Sequence, residues 1–409
     1  MDDGWFGNRN DDTHGLGDWT ENLKKIPGGL KGLADHAKKL GMGFGIWMEP
    51  EMVNEDSDLY RAHPDWIIKD GFHQPLKSRH QWTLDLSKPE VQRYVVDSVC
   101  RVLGSADISF LKWDYNRNMC DLPADGAFQH EYILGLYAAL KEIKERYPNV
   151  LFENCASGGN RFDLGMLSFF PQSWMSDDSD SFERMRIQSD ASLGYPLSVM
   201  SNHVSAKTSN QLLRNTPLDI KFDVACFGVL GYELDINDLY PIDSEIIEKQ
   251  VAYYKENRKV FQFGEYRVLR DFSEGELMMI QVTDGETTFV GQYNQIAQIN
   301  AEEGFLLAHG LEPEAKYSYE VRPVKINLKK FGALANQIAP IHLREEGNII
   351  GIISRHKAMD GEKDEGVVSG SALNAGAVKL ARQWSATGYN DKVRLLGDFG
   401  GRLYKIKKQ

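Results

Sequence analysis

Apolar runs of strand character that end in polar or charged side chains, each followed by a stretch of helical spacing, recur along most of this 409-residue chain and limit its fold more than any other feature. Leu30, Leu33, Ala37 and Leu40 keep helical spacing up to Gly41, placed as a C-cap glycine. Met42–Met48 then reads as a strand that ends in Trp47-Met48-Glu49-Pro50-Glu51. Gln81–Leu86 reads as the next strand, and Ser87-Lys88-Pro89-Glu90 as a capping box with proline in the first turn of a helix through Val91, Val95, Val99 and Val102. Ile108–Asn116, Asn149–Cys155, Phe169–Ser176, Leu197–Val204 and Val224–Leu234 continue the strand series. A helix carrying Ile133, Leu136, Leu140, Ile143 and Tyr147 lies between the first two, and one over Ser244–Val260 closes it. Strands alternating with helices imply a parallel sheet, and seven strands with polar chemistry at their C-terminal ends point to a barrel. A doubly wound open sheet is the rival, but no strand leads into a glycine-rich phosphate loop.

After Gln262 the pattern changes to short Val/Ile/Tyr-rich runs at Leu277–Val282, Thr287–Tyr293, Tyr317–Val321, Ile349–Ser354 and Arg402–Ile406. The expected division is therefore a catalytic (β/α) barrel over 1–262 and an all-β, antiparallel domain over 263–409, with Lys357–Gly370 an exposed loop. A net charge of −12 with scattered basic residues argues against a nucleic-acid or anionic-membrane partner. Cys100, Cys120, Cys155 and Cys226 form no C-x-x-C pair, so neither zinc nor a disulfide framework is signalled and a cytoplasmic setting is expected. No run of eighteen apolar residues and no basic-then-apolar leader is present.

The strand ends carry the candidate chemistry. Lys112, Asp114 and Asn116 share one strand face, and the lysine favours an ionised Asp114, which suits a nucleophile; a structural Lys–Asp pair reads equally well. Asp2 and Asp3 pair two carboxylates, or form a frayed acidic terminus. Trp47 is either core or a sugar-stacking platform, and Arg79 and His80 stand before a strand or in solvated loop. Asn154–Arg161 runs from strand into small residues where backbone can approach a ligand, or where the chain turns tightly into a helix. Asp177, Asp178 and Asp180 end another strand; a divalent metal site is weakly supported because calcium-loop spacing is absent. One carboxylate beside a lysine and another beside Trp174 is the division of labour that glycoside hydrolysis needs.

Together, Asp2-Asp3-Gly4-Trp5-Phe6-Gly7, Trp47-Met48-Glu49-Pro50-Glu51, Lys112-Trp113-Asp114, the Cys155-x-x-Gly158-x-x-Arg161 loop, Trp174-x-Ser176-Asp177 and Gly231-Tyr232-Glu233-Leu234-Asp235 resemble the α-galactosidases of glycoside hydrolase family 36. The resemblance implies a (β/α)8-type TIM barrel lacking its first strand, with a C-terminal antiparallel β domain. It implies a retaining mechanism with Asp114 as nucleophile and Asp177, rather than Asp178, as acid/base. Asp2, Asp3, Trp47, Arg79, Lys112, Asn116, Cys155 and Gly158 would line the galactose pocket, with no metal or organic cofactor. The expected substrate is a terminal α-galactoside of melibiose or raffinose type, with homo-oligomers of the full-length form allowed. An α-N-acetylgalactosaminidase, a galactosyl-transferring enzyme or an inactive sugar-binding fragment are the alternatives. Family members carry an N-terminal β-sandwich and a first barrel strand before the paired aspartates, so a chain in which Met1 precedes Asp2 is expected to be a truncated form with an open edge, weakly active and aggregation-prone.

Overall fold

Four parallel strands lie within Met1–Asp177, one of two units into which the computed structural model divides; the other is Asp178–Gln409. Residues 1–299, 304–337, 339–384, 390 and 392–409 are described. In the first unit the strands are β1 (Phe44–Met48), β2 (Met52–Asn54), β3 (Gln81–Thr83), β4 (Ile108–Trp113), β5 (Leu151–Asn154) and β6 (Gln172–Trp174). The helices are α1 (Gly29–Lys39), α2 (Asp58–Ala62), α3 (Pro89–Ser105), α4 (Phe128–Arg146) and α5 (Leu164–Leu167). β1, β4, β5 and β6 are neighbours in that order, with parallel pairs Trp47↔Lys112, Lys112↔Glu153 and Asn154↔Ser173. The ladder runs one residue beyond the strands, because Asp114 N donates to Met48 O and Cys155 N to Trp113 O, each at 2.9 Å. That register brings the residues after Met48, Trp113 and Asn154 to one end of the sheet.

The apolar faces read from the sequence are the buried ones: Val91, Val95, Val99 and Val102 on α3, and Leu136, Leu140 and Ile143 on α4. Two local expectations fail in this unit. Gln81–Leu86 does not join the parallel set: β3 pairs antiparallel with β2, since alternation marks a strand but not the direction of its partner. The Ser87 capping box does not form either, because Ser87 Oγ is taken by Asp85 Oδ1 and Lys88 occupies the N-cap.

Met1 stands beside Ile46 in parallel register: its ammonium donates to Gly45 O at 2.8 Å and its carbonyl accepts from Trp47 N at 2.9 Å. The fraying expected of the first residues is opposed by these two bonds, which start Asp2 and Asp3 from the same end of the sheet.

The second unit contains the parallel pair β7 (Met200–Ser205) and β8 (Val229–Glu233), with α6 (Ser181–Ser192), α7 (Leu218–Ala225) and α8 (Pro241–Phe263). Val224, expected at the start of a strand, lies in α7. A six-stranded antiparallel sheet follows, ordered Glu365–Ser369, Lys316–Val321, Gly400–Lys408, Thr287–Asn294, Leu277–Thr283 and Glu265–Arg270. Arg322 joins it to α7 through buried ion pairs with Asp219 at 2.9 Å and Asp223 at 2.6 Å. The strand expected at Ile349–Ser354 is a helix, Asn348–Ile353, which buries only Ile350; the contacts of one face override β-branched propensity. Lys357–Gly370 is not simply an exposed loop: it carries Ala358–Asp360 and Glu365–Ser369 as strands and buries Glu362 against Arg402.

Candidate active site

At the end of β4 the chain leaves regular structure with Asp114-Tyr115-Asn116, and the Asp114 carboxylate is fixed from three sides. Trp47 Nε1 from the end of β1 donates to Oδ2 at 3.0 Å, Asn116 Nδ2 donates to the same oxygen at 2.7 Å, and Tyr115 N donates to Oδ1 at 2.8 Å. Trp47 is itself held: its carbonyl accepts from Trp5 Nε1 at 3.0 Å, and its ring lies nearly parallel to Phe6 at 6.5 Å. The indole is thus both part of the aromatic core and a donor to Asp114.

Lys112 points to the same face but finds another carboxylate within ion-pair reach, Glu153 at 3.8 Å. Its ammonium also lies 5.1 Å from the Trp174 ring centroid. Burial works against this charge, yet Cys155, Glu153, Asp114 and Asp2 outweigh it and hold the lysine above its ordinary pKa. Cys155 sits between the same groups: burial first, then the charge of Asp114, push its thiol far up, Asp177 adding to the effect while Lys112 and the Gly158 backbone oppose it. Lys112, Asp114, Cys155, Asp2 and Asp177 are therefore electrostatically linked through Lys112 and Cys155. Asp177 Oδ1 accepts from Trp174 Nε1 at 2.9 Å.

Gly158 is needed where it stands. Its φ is +88°, and a Cβ there would lie 2.7 Å from Ser176 Cα and 2.8 Å from Asp177 N, so only glycine lets the β5 loop lie against the backbone that carries Asp177. Gly158→Ala should displace that backbone and lower kcat/KM by more than tenfold, with about 1–3 kcal/mol of destabilisation from the clash and the positive φ. Kinetics and thermal unfolding of the variant check both; unchanged kcat/KM would mean that the contact does not set the position of Asp177.

Asp3 and Arg79 sit on a different network. Arg9, buried, grips Asp3 through Nε at 3.0 Å and Nη2 at 2.8 Å, and reaches Asp12 at 3.5 Å. Arg79, half-exposed at φ +51°, reaches Asp12 at 3.7 Å, so it is tied to Asp3 only through Asp12 and Arg9. It makes no hydrogen bond or ion pair with Asp114, Lys112 or Asn116. Asp180, in the second unit, caps α6 by accepting from Phe182 N and Glu183 N and pairs with Arg214, which gives the third aspartate of its run a structural role. Among the described residues no cluster of three or more metal-ligating side chains is present.

The residues overlooked as site components are Glu49 and Glu51, two positions apart at the end of β1. Glu51 is fully buried and compensated: Arg161 Nη1 and Trp113 Nε1 reach Oε1 at 2.8 Å each, and Tyr132 OH reaches Oε2 at 2.6 Å. Glu49 is equally buried but meets no cation within 4 Å among the described residues. Its Oε1 accepts from Asn116 N at 2.5 Å and from Gln81 Nε2 at 2.7 Å. Burial and then the charge of Asp114 push its pKa up from 4.5 to about 8, against the hydrogen bonds from Asn116 and Gln81. A neutral carboxyl therefore holds Asn116, which in turn holds Asp114. Paired carboxylates at a strand end were the only signal for this in the sequence.

A family model described as Melibiase matches residues 1–264. Alpha-galactosidase AgaA of Geobacillus stearothermophilus is 42% identical over 329 residues, covering 78% of this chain and 45% of that protein. Alpha-galactosidase Mel36A of Lactobacillus acidophilus is 40% identical over 325 residues, covering 78% and 44%. The chain spans about half the length of these curated relatives. Among solved structures, a variant of the GH36 α-galactosidase AgaA in complex with raffinose superposes with a TM-score of 0.83 at 34% identity, over 100% of this chain and 51% of that one. The α-galactosidase of Lactobacillus brevis gives 0.83 at 35% identity, over 100% and 50%. The fold is thus of (β/α)-barrel type with a C-terminal antiparallel β domain, as the strand–helix order implied. With a family model over most of its length and relatives at this identity, the chain belongs to the melibiase family, the α-galactosidases of glycoside hydrolase family 36.

Proposed function

We propose that this chain carries the catalytic machinery of a retaining α-galactosidase, removing terminal non-reducing α-D-galactosyl residues from oligosaccharides of melibiose or raffinose type. The observation that carries this is the fixed Asp114 carboxylate: three donors orient it at a strand end, while a second aspartate, Asp177, accepts from the Trp174 indole N–H. In this reading Asp114 attacks the anomeric carbon. Asp177 protonates the departing glycosidic oxygen, then takes a proton from the water that hydrolyses the galactosyl-enzyme. Lys112 and Asn116 orient the nucleophile side of the pocket, and Asp2 and Asp3 accept hydrogen bonds from sugar hydroxyls, with Arg9 holding Asp3 in place. Trp47, Cys155 and Gly158 shape the remaining wall, and Arg79 acts from the rim through Asp12.

The raffinose complex of the related AgaA variant supports this substrate class. No metal or organic cofactor enters the proposal. It assigns residues 1–262 to the catalytic barrel and 263–409 to the β domain, and it allows homo-oligomers of the full-length form. A cytoplasmic setting is favoured by four free cysteines, and no described helix is long and apolar enough to cross a membrane. The proposal assigns no nucleic-acid partner. Proton NMR of aryl α-galactoside hydrolysis tests the mechanism: α-galactose should appear first and mutarotate later. A 2-fluoro galactosyl fluoride should label Asp114 in peptide maps. Release of β-galactose first, or a label elsewhere, would overturn the assignment.

A further inference from the structure

The second unit holds a cavity of about 1040 Å³ over the antiparallel sheet, and none of its lining residues belongs to the candidate active site. Three arginines of this β region are nearly fully buried. Arg322 is paired with Asp219 and Asp223, and Arg402 with Glu362 through two bonds at 2.6 and 2.8 Å. Arg394, which lines the cavity at 4% exposure, has no carboxylate within 4 Å among the described residues. Its Nη1 has only a long bond to Gln292 Oε1 at 3.4 Å, and its Nε is buried without a partner. A Cβ at Gly304 would lie 2.1 Å from its Nη2, so glycine there leaves the space the guanidinium occupies. Leaving donors of a buried cation unused is costly, and a ligand that accepts from them would offset that cost.

The wall also selects the ligand's chemistry. Gln383, on the same cavity, buries an Oε1 that accepts nothing. An anion would serve Arg394 but repel that oxygen, whereas a hydroxyl group accepts from one side and donates to the other. Among the described lining residues, Glu274 and Glu276 offset Arg270 and Arg394, so these side chains present no net charge to an ion. Its volume lies at the upper end of the range for small-ligand pockets. Apolar side chains from the sheet, with Phe305 at the edge, suit the C–H face of a pyranose. We propose that this cavity is a second, non-catalytic site for a neutral oligosaccharide, with Arg394 and Gln383 bridging sugar hydroxyls.

The test uses the full chain carrying Asp114→Ala, so that sugar is not turned over, titrated with raffinose by calorimetry. Arg394→Gln in that background should weaken one binding component roughly tenfold or more, the loss of one charged hydrogen bond. In the wild-type background the same substitution should leave aryl α-galactoside kinetics unchanged. Gly304→Ala, which crowds Nη2 and spares the arginine, should reproduce the effect if Arg394→Gln folds poorly. Crystals soaked in raffinose should show sugar on Arg394. Identical isotherms with and without Arg394, an empty cavity after the soak, or binding of phosphate in place of sugar would each overturn the proposal. Absence of aryl galactoside turnover with Arg394-dependent raffinose binding retained would count against the catalytic reading alone.

Discussion

Asp114→Ala should lower kcat on an aryl α-galactoside by on the order of 10⁴- to 10⁶-fold, the range for removing a covalent nucleophile. The side chain accepts three hydrogen bonds, so the substitution also strands Trp47 Nε1 and Asn116 Nδ2; folding must be checked by circular dichroism before the kinetic loss is read. Azide separates the two effects. It enters the space left by the carboxylate, forms the bond to the anomeric carbon that Asp114 would have formed, and should restore turnover with β-galactosyl azide as product. Asp177→Ala should behave differently: an activated aryl leaving group needs little protonation, so melibiose turnover should fall far more than nitrophenyl galactoside turnover. Near wild-type activity of the Asp114 variant, or a selective loss in Asp178→Ala instead of Asp177→Ala, would remove these roles.

What the sequence disclosed follows from what each kind of signal encodes. The order of strands and helices was readable because burial of one face imposes a period, and Val91, Val95 and Val99 report that period whatever they pack against. The partner of a strand is not encoded in its own period, which is why the strand expected at Gln81–Leu86 forms, over Gln81–Thr83, as one of an antiparallel pair instead of in the parallel sheet. The isoleucines of Ile349–Ser354 suit a strand, while packing, which a local pattern does not encode, buries Ile350 on a helix instead. Asp114 could be singled out from Lys112 two residues before it, although the carboxylate that Lys112 meets within 4 Å is Glu153, across the sheet. Glu49 and Glu51 looked equivalent for the same reason. Arg161 arrives from 110 residues away and pairs with one of them only. Arg9, which fixes Asp3, carried no distinguishing pattern at all.

That asymmetry between the two glutamates has a measurable consequence in stability. Glu49 is 1% exposed, and its pKa in the folded chain is about 8 against 4.5 for the unfolded group. Between these values the native state binds a proton that the unfolded state has released, so the contribution is complete below pH 4.5, declines as pH rises, and is lost above about 8. The size of the effect is on the order of 5 kcal/mol, from the usual ~1.4 kcal/mol per unit. Glu49→Gln replaces a neutral carboxyl by a neutral amide of the same shape that still accepts from Asn116 N and Gln81 Nε2. Its stability should therefore lack this decline, and the difference between variant and wild type in urea unfolding should move in the variant's favour from pH 5 to pH 9. Other titrating groups act in both proteins and largely cancel. Activity should follow the same group: the wild type should lose kcat/KM on an alkaline limb near pH 8, as a charge appears beside the Asn116 that orients Asp114, and the variant should not. Glu49→Ala, which leaves both donors unmet, should lose activity at every pH. A stability difference that stays flat with pH, together with an unshifted alkaline limb in Glu49→Gln, would mean that Glu49 is ionised in the working enzyme and that its proton plays no part in holding Asn116.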